Sequence, residues 1–153
     1  MSTEETSPFD ILLVEDEAAD ACLVKLALRE VERPSRLHHV LDGSEALAFL
    51  RRQEPRYADA PRPRLVLLDL NMPRMNGREF LQHLRTEEAR FLDIPVVVFS
   101  TSEYEKDKES CYALGANDFV TKPVDIDEFI AAVKGIGQRW FPARANDRED
   151  VSA

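Results

Sequence analysis

Four places in this 153-residue chain carry side chains that would make a reaction centre if the fold brought them together. Glu15-Asp16-Glu17 follow the apolar run Phe9–Val14, and Asp69 follows Leu65–Leu68. Ser100-Thr101 follow Pro95–Phe99, and Lys122-Pro123 follow Asp118–Thr121. Carboxylates crowded together repel one another and call for a cation. Mg2+ suits such a site, because it takes hard oxygen ligands, keeps several waters and accepts one or two protein carboxylates beside a phosphate. An aspartate there can act as a nucleophile and hold a phosphoryl group covalently. A serine hydroxyl can donate to a phosphoryl oxygen, and a lysine ammonium can neutralise its charge. Taken singly, each is ordinary: Asp16 a surface or capping acid, Asp69 a strand-end cap, Ser100 a turn hydroxyl, Lys122 a solvated lysine.

Convergence of these residues requires a parallel sheet. The runs Phe9–Val14, Leu65–Leu68 and Pro95–Phe99 lack clean alternation, which predicts strands buried on both faces. Leu37–Val40 and Asp118–Thr121 supply two weaker strands. Between them, apolar residues recur at three- and four-residue steps over Ala18–Val31, Ser44–Arg52, Gly77–Glu88, Glu103–Leu114 and Asp125–Ile136, predicting five helices. Alternating strands and helices imply an α/β domain, one parallel sheet with crossover helices on both faces. In such sheets ligands bind beyond the carboxyl ends of the strands, which is where the reactive residues fall. The Glu54–Arg64 stretch, with Pro55, Pro61 and Pro63, reads as an extended surface loop, with a partner contact as the alternative. Gly77 marks a sharp turn before the third helix, and Gly115-Ala116-Asn117-Asp118 a cap and turn before the fifth strand. Met72 and Met75 read as packing residues.

Composition narrows the class. The length suits one domain with its own core, residues 9–141, between a disordered segment at 1–8 and a flexible polar tail at 142–153. With 20 basic and 29 acidic residues the net charge is −9, which argues against nucleic acid or an anionic membrane as partner. Cys22 and Cys111, read in apolar helical settings, form no disulfide framework and point to a reducing compartment. His38 and His39 lie on a strand flank and read as structural. Met1–Pro8 is no secretory signal, and the longest apolar run has strand length, so the expectation is a soluble, cytoplasmic protein.

The set Glu15-Asp16, Asp69-Leu70-Asn71-Met72-Pro73-Arg74-Met75-Asn76-Gly77, Ser100 and Lys122-Pro123 resembles the receiver domain of two-component response regulators, from about Phe9 to Gly137. The resemblance implies a flavodoxin-like strand order 2-1-3-4-5 and Mg2+ as cofactor. By it Asp69 is the phosphoacceptor, and Asp16 and the backbone carbonyl of Asn71 are the other direct metal ligands. Glu15 holds the metal through water, Lys122 and Ser100 meet the phosphoryl group, and the Lys122–Pro123 bond is cis. Such a domain catalyses its own phosphoryl transfer from a sensor kinase's phosphohistidine, and its own dephosphorylation.

Glu15 stands where the family often has a second aspartate, and Phe119 where its switch residue is often tyrosine. Phe119 has no hydroxyl, so coupling between Ser100 and Phe119 would run through packing alone. No output module is expected after the last helix. The signal is then expected from the face of the fourth helix, fifth strand and fifth helix, with Tyr104, Tyr112, Phe119 and Phe129 as face residues. Trp140 and Phe141, placed past the last helix, are either a clasp on the domain or part of a homodimer contact. The Glu-Asp start, Val96–Ser102 and Trp140-Phe141 resemble the small regulators paired with bacterial phytochrome-type histidine kinases, which makes such a kinase the expected partner and a histidine phosphotransfer protein a second one. The alternative function is an unphosphorylated pseudo-receiver that only binds protein. A small-molecule phosphatase is disfavoured, because Asp16 is followed by Glu17 and Ala18 with no second catalytic aspartate and no cap domain.

Overall fold

A computed structural model describes residues 9–87 and 89–141. The segments 1–8 and 142–153, for which disorder was expected, lie outside the described residues. Five strands, β1 (Phe9–Val14), β2 (Ser35–Val40), β3 (Leu65–Leu68), β4 (Val96–Ser100) and β5 (Asp118–Thr121), alternate with α1 (Ala18–Arg29), α2 (Gly43–Arg51), α3 (Gly77–Thr86), α4 (Glu105–Ala113) and α5 (Ile126–Trp140). The sheet is parallel throughout, in the order β2-β1-β3-β4-β5.

The continuous apolar runs are explained by layers on both faces. On one face Leu12, Val14, Val66, Leu68, Val96 and Val98 pack with Leu47 and Leu50 of α2, Phe80, Leu81 and Leu84 of α3, and Cys111 of α4. On the other, Ile11, Leu13, Leu65, Leu67, Val97 and Phe99 pack with Ala21, Val24 and Leu28 of α1 and Phe129, Val133 and Ile136 of α5. Period-two alternation within each strand divides its side chains between the two cores. All four residues of β3 are fully buried, each worth roughly 1.5–3 kcal/mol of apolar transfer. That burial fixes the strand whose next residue is Asp69.

Register carries this order to the sheet's edge. Val14 pairs with Leu68, Leu68 with Val98 and Ser100 with Thr121, so Glu15, Asp69, the end of β4 and Lys122 emerge side by side. Helix starts are set locally. Asp42 caps α2 by accepting from Glu45 N, Asp125 caps α5 by accepting from Glu128 N, and Asn76 and Glu79 form a capping box on α3.

Several expectations change. Helix α5 runs to Trp140, so Trp140 ends the helix instead of following it, and Phe141 folds back onto Phe9 with ring centroids 4.6 Å apart. Cys22 is exposed, because it falls on the solvent side of α1, while Cys111 is buried. The Glu54–Arg64 stretch contains a 3-10 turn at Pro55–Tyr57, and Tyr57 packs edge-on against Phe49. Among the described residues no helix is long and apolar enough to cross a membrane.

Candidate functional site

At the carboxyl end of the sheet, Glu15, Asp16 and Asp69 each offer a carboxylate oxygen, and these oxygens lie within 4.8 Å of one another. Glu15 and Asp69 are buried and Asp16 is half-buried. Asp69 extends β3 by one residue, its N–H donating to the Val14 carbonyl at 3.0 Å. Helix α3 then returns so close that a Cβ on Gly77 would stand 2.3 Å from the Asp69 carbonyl oxygen. Gly77 is therefore required by close approach, which lets its N–H reach the Leu70 carbonyl at 3.0 Å. The intervening loop is clamped a second time: Arg74, in the left-handed region at φ 60°, pairs with the fully buried Asp42, and Gly43 N–H donates to the Met75 carbonyl at 2.9 Å.

Lys122 reaches the acids from β5. Its Nζ lies 2.6 Å from Glu15 Oε1, 2.9 Å from Asp20 Oδ2 and 3.7 Å from Asp69 Oδ1. Its N–H donates to the Ser100 carbonyl at 2.6 Å, tying the ends of β4 and β5. Ser100 itself is fully buried, and its Oγ accepts from Ser102 N at 3.3 Å.

Burial governs the electrostatics. It pushes the Glu15 carboxyl up to about 7, helped by the charge of Asp69 and opposed by Lys122. Burial also raises Asp69, again against the pull of Lys122. For Lys122 burial works downward, but hydrogen bonds to Glu15 and Asp20 outweigh it, and its pKa is raised. The site is thus short of positive charge: the Lys122 ammonium faces three carboxylates, Glu15, Asp20 and Asp69, and Asp16 adds a fourth acid beside Glu15 and Asp69.

The donor set fits a divalent cation. Both Glu15 oxygens are engaged, Oε1 by Lys122 and Oε2 by Glu17 N at 3.1 Å. Asp16 Oδ1, by contrast, is buried and has no hydrogen-bond partner among the described residues, and a buried carboxylate oxygen without a partner is unfavourable unless something cationic meets it. The cluster can coordinate a divalent metal ion.

Comparison with known proteins decides the family. Residues 11–134 match the response regulator receiver domain. The chain belongs to this family. The receiver domain is 41% identical over 145 residues to response regulator Rcp1 of Synechocystis, covering 92% of this chain and 95% of the relative. Among solved structures it is similar to the phosphorylated cyanobacterial phytochrome response regulator RcpA (TM-score 0.81, 42% identity, 88% and 94% of the two chains). It is equally similar in fold to the Mn(2+)-bound form of Rcp1 (TM-score 0.81, 39% identity, 89% and 100%). The acidic cluster of this receiver domain is therefore one poised for metal-dependent aspartyl-phosphate chemistry, with the family's self-catalysed phosphorylation and dephosphorylation.

The receiver domain departs from the sequence reading at several residues. The Lys122–Pro123 bond is trans, not cis, since no cis peptide occurs among the described residues. The two isomers of an X–Pro bond differ by only about 0.5–1 kcal/mol, too little for sequence to choose. Phe129 was placed on the partner face, but it is buried edge-on against Phe99 with centroids 5.1 Å apart. Phe119 is likewise buried, turned inward beneath Lys108, and Phe141 is buried on Phe9. These three offer a partner little surface in this conformation. Tyr104 is 77% exposed and Tyr112 half exposed, so both do lie on the surface. Trp140 is partly buried. Asn71 is exposed in the loop after Asp69.

Sequence reasoning missed Asp20, and it read His39 as structural without its partner. Asp20 lies in the first turn of α1, where any acid just beyond a strand end faces the same sheet edge; that was the available signal. His39 lies near the end of β2, and its Nε2–H donates to the Glu15 carbonyl at 2.6 Å, which fixes the acidic turn. Only the pairing of β2 with β1 exposes that role.

Proposed function

We propose that Asp69 accepts a phosphoryl group from a sensor histidine kinase of the phytochrome type and that the domain signals by a change on the α4–β5–α5 face. The observation that carries this reading is the convergence of three carboxylates on one point, with Lys122 reaching in 3.7 Å from Asp69. Asp16, with its unpartnered Oδ1, and Asp69 are the direct metal ligands, joined by the Asn71 carbonyl that the family supplies. Glu15, already bonded through both oxygens, is suited to hold the ion through water. The metal is Mg2+; when bound it offsets the negative charge that gathers between Asp69 and the incoming phosphoryl group. The description of RcpA as a phytochrome response regulator supports the choice of kinase.

In the transfer an Asp69 oxygen bonds to phosphorus as the donor's bond to phosphorus breaks and the donor leaves with that electron pair. Lys122 turns an N–H toward a phosphoryl oxygen, and the Ser100 hydroxyl donates to another. Ser100 is drawn toward the phosphoryl group, and β4 carries that pull to α4 and to Phe119 by packing. Activity is cytoplasmic, a histidine phosphotransfer protein can draw on the same phosphoryl group, and a homodimer is the assembled state.

The test is incubation with acetyl phosphate and Mg2+, read by intact mass, with size-exclusion chromatography alongside. Wild type gains one phosphoryl group and Asp69→Asn gains none. A shift in elution on phosphorylation supports the homodimer, and an unchanged elution assigns the output to a different protein. No gain by a folded, Mg2+-binding wild type would overturn the acceptor reading in favour of a protein-binding module that is never phosphorylated.

A further inference from the structure

Lys122 is held more closely by other carboxylates than by Asp69. An ammonium has three N–H donors, and the two short contacts go to Glu15 (2.6 Å) and Asp20 (2.9 Å), while Asp69 Oδ1 at 3.7 Å is beyond hydrogen-bond reach. Asp20 stands apart from the acidic cluster. It projects from α1 into the wall of a cavity of about 460 Å³ that Leu23, Thr101, Lys122 and Val124 also line. Its carboxylate is 29% exposed, against 5% for the Lys122 side chain. It therefore meets the lysine at the exposed margin of the site, on a cavity wall that does not include Asp69.

We propose that Asp20 is a positioning residue for phosphoryl transfer: it draws the Lys122 ammonium off the Asp69 carboxylate and keeps that carboxylate open until a phosphoryl group arrives. The proposal rests on Asp69 being the acceptor. With Asp20 neutralised, the remaining carboxylates near Nζ are Glu15 and Asp69, and charge attraction closes the gap to Asp69 Oδ1. A lysine bonded there engages the lone pairs that must attack phosphorus and occupies the space of the incoming oxygens. In the wild type no proton has to move; Lys122 only redirects a donor from a carboxylate to a phosphoryl oxygen.

A small acyl phosphate is the right donor, because it needs no protein docked on α1. Initial rates of phosphorylation by acetyl phosphate at saturating Mg2+ are to be compared for wild type, Asp20→Asn and Asp20→Glu, and for Lys122→Gln with and without Asp20→Asn. The expected result is a loss of roughly three- to tenfold in Asp20→Asn, with Mg2+ affinity and melting temperature unchanged. Asp20→Glu recovers most of the rate, and Asp20→Asn adds nothing once Lys122 is glutamine. A rate in Asp20→Asn equal to or above wild type overturns the proposal, as does an equal loss in the Lys122→Gln background, which would mark a role independent of the lysine. If wild type takes up no phosphoryl group, the acceptor reading fails first and this one with it.

Discussion

The segment from β3 through α3 and the segment from β4 through α4 are successive βα units on the same sheet, yet they are anchored very differently. Helix α3 buries Phe80, Leu81 and Leu84 completely, begins in a capping box, and presses Gly77 against the backbone of Asp69. Helix α4 buries only Cys111, has Tyr104 as its N-cap without a side-chain hydrogen bond, and has no basic residue in its last turn. Its tie to the neighbouring helix is polar, Arg78 of α3 to Asp107 and to Ser110 Oγ at 3.3 Å. The acceptor aspartate thus sits on the over-determined unit, and the proposed output helix on the lightly held one. Phosphoryl chemistry needs fixed geometry, whereas a switch needs an element whose alternatives differ by a few kcal/mol. One fold supplies both by distributing its apolar side chains unevenly.

The strongest test of the rigid side is Gly77→Ala. Its methyl would stand 2.3 Å from the Asp69 carbonyl and 2.9 Å from Leu70 Cα, both backbone atoms that cannot swing away. A loss on the order of 3 kcal/mol or more is expected in urea unfolding, with weakened Mg2+ binding in the fraction that folds. A loss under about 1 kcal/mol would show that α3 does not press on the acceptor loop.

A second test uses the charge gathered at that rigid end. Glu15 titrates at about 7 in the folded chain against an ordinary 4.5. Between those values the folded state binds more protons than the unfolded one, so the stability Glu15 contributes is whole below about pH 4.5 and is lost as pH rises toward 7. In metal-free buffer the gap between Glu15→Gln and wild type should grow in favour of the variant over this window, by on the order of 2–3 kcal/mol. Added Mg2+ should restore wild type increasingly with pH, since it binds the deprotonated acids. A gap independent of pH would remove Glu15 as the group responsible.

What sequence revealed divides along the same line. Strands β1 and β3 begin and end where their apolar runs do, and the acids beyond them fall at the site, because burial on both faces leaves sequence no freedom there. Edge strand β2 starts at Ser35, two residues before its apolar run, since pairing with β1 needs no apolar side chain. Helix α5 passes Ile136 despite Gly135 and Gly137. Gly137 admits the side chain of Val31, whose Cγ2 would lie 2.9 Å from a Cβ there, so the glycine marks close packing where sequence suggested a stop. Phe129 belongs to the apolar stripe of α5 that Val133 and Ile136 continue and is buried with them, so helical period places it in the core and its assignment to the partner face is the misreading. The roles of Asp20 and His39 were hidden for a different reason: their partners, Lys122 and the Glu15 carbonyl, are distant in sequence and meet them only across the sheet.

The capping box supplies a smaller effect. Asn76→Ala removes the acceptor of Glu79 N and leaves Glu79 to hold the cap backbone alone. It should destabilise the domain by about 1 kcal/mol and slow phosphorylation slightly by loosening the turn into Gly77, and urea melts with acetyl phosphate kinetics check both. A cap whose loss left both unchanged would shift the anchoring of α3 wholly onto its apolar face.

The smallest effect on overall stability is expected from Arg78→Ala, and it is the one that tests the lightly held side. The Arg78 and Asp107 side chains are 36% and 30% exposed, so solvent weakens their attraction, and their loss should cost no more than about 1 kcal/mol globally. Locally the effect should be larger, because α4 has little apolar contact to fall back on. Native-state hydrogen exchange should already show α4 amides opening well below the global free energy and α3 amides near it. Arg78→Ala should speed exchange in α4 several-fold while leaving α3 and the β3 amides as they were. If α3 and α4 accelerated together, the two units would open as one body, and a signal from Asp69 could not reach α4 by shifting that helix alone.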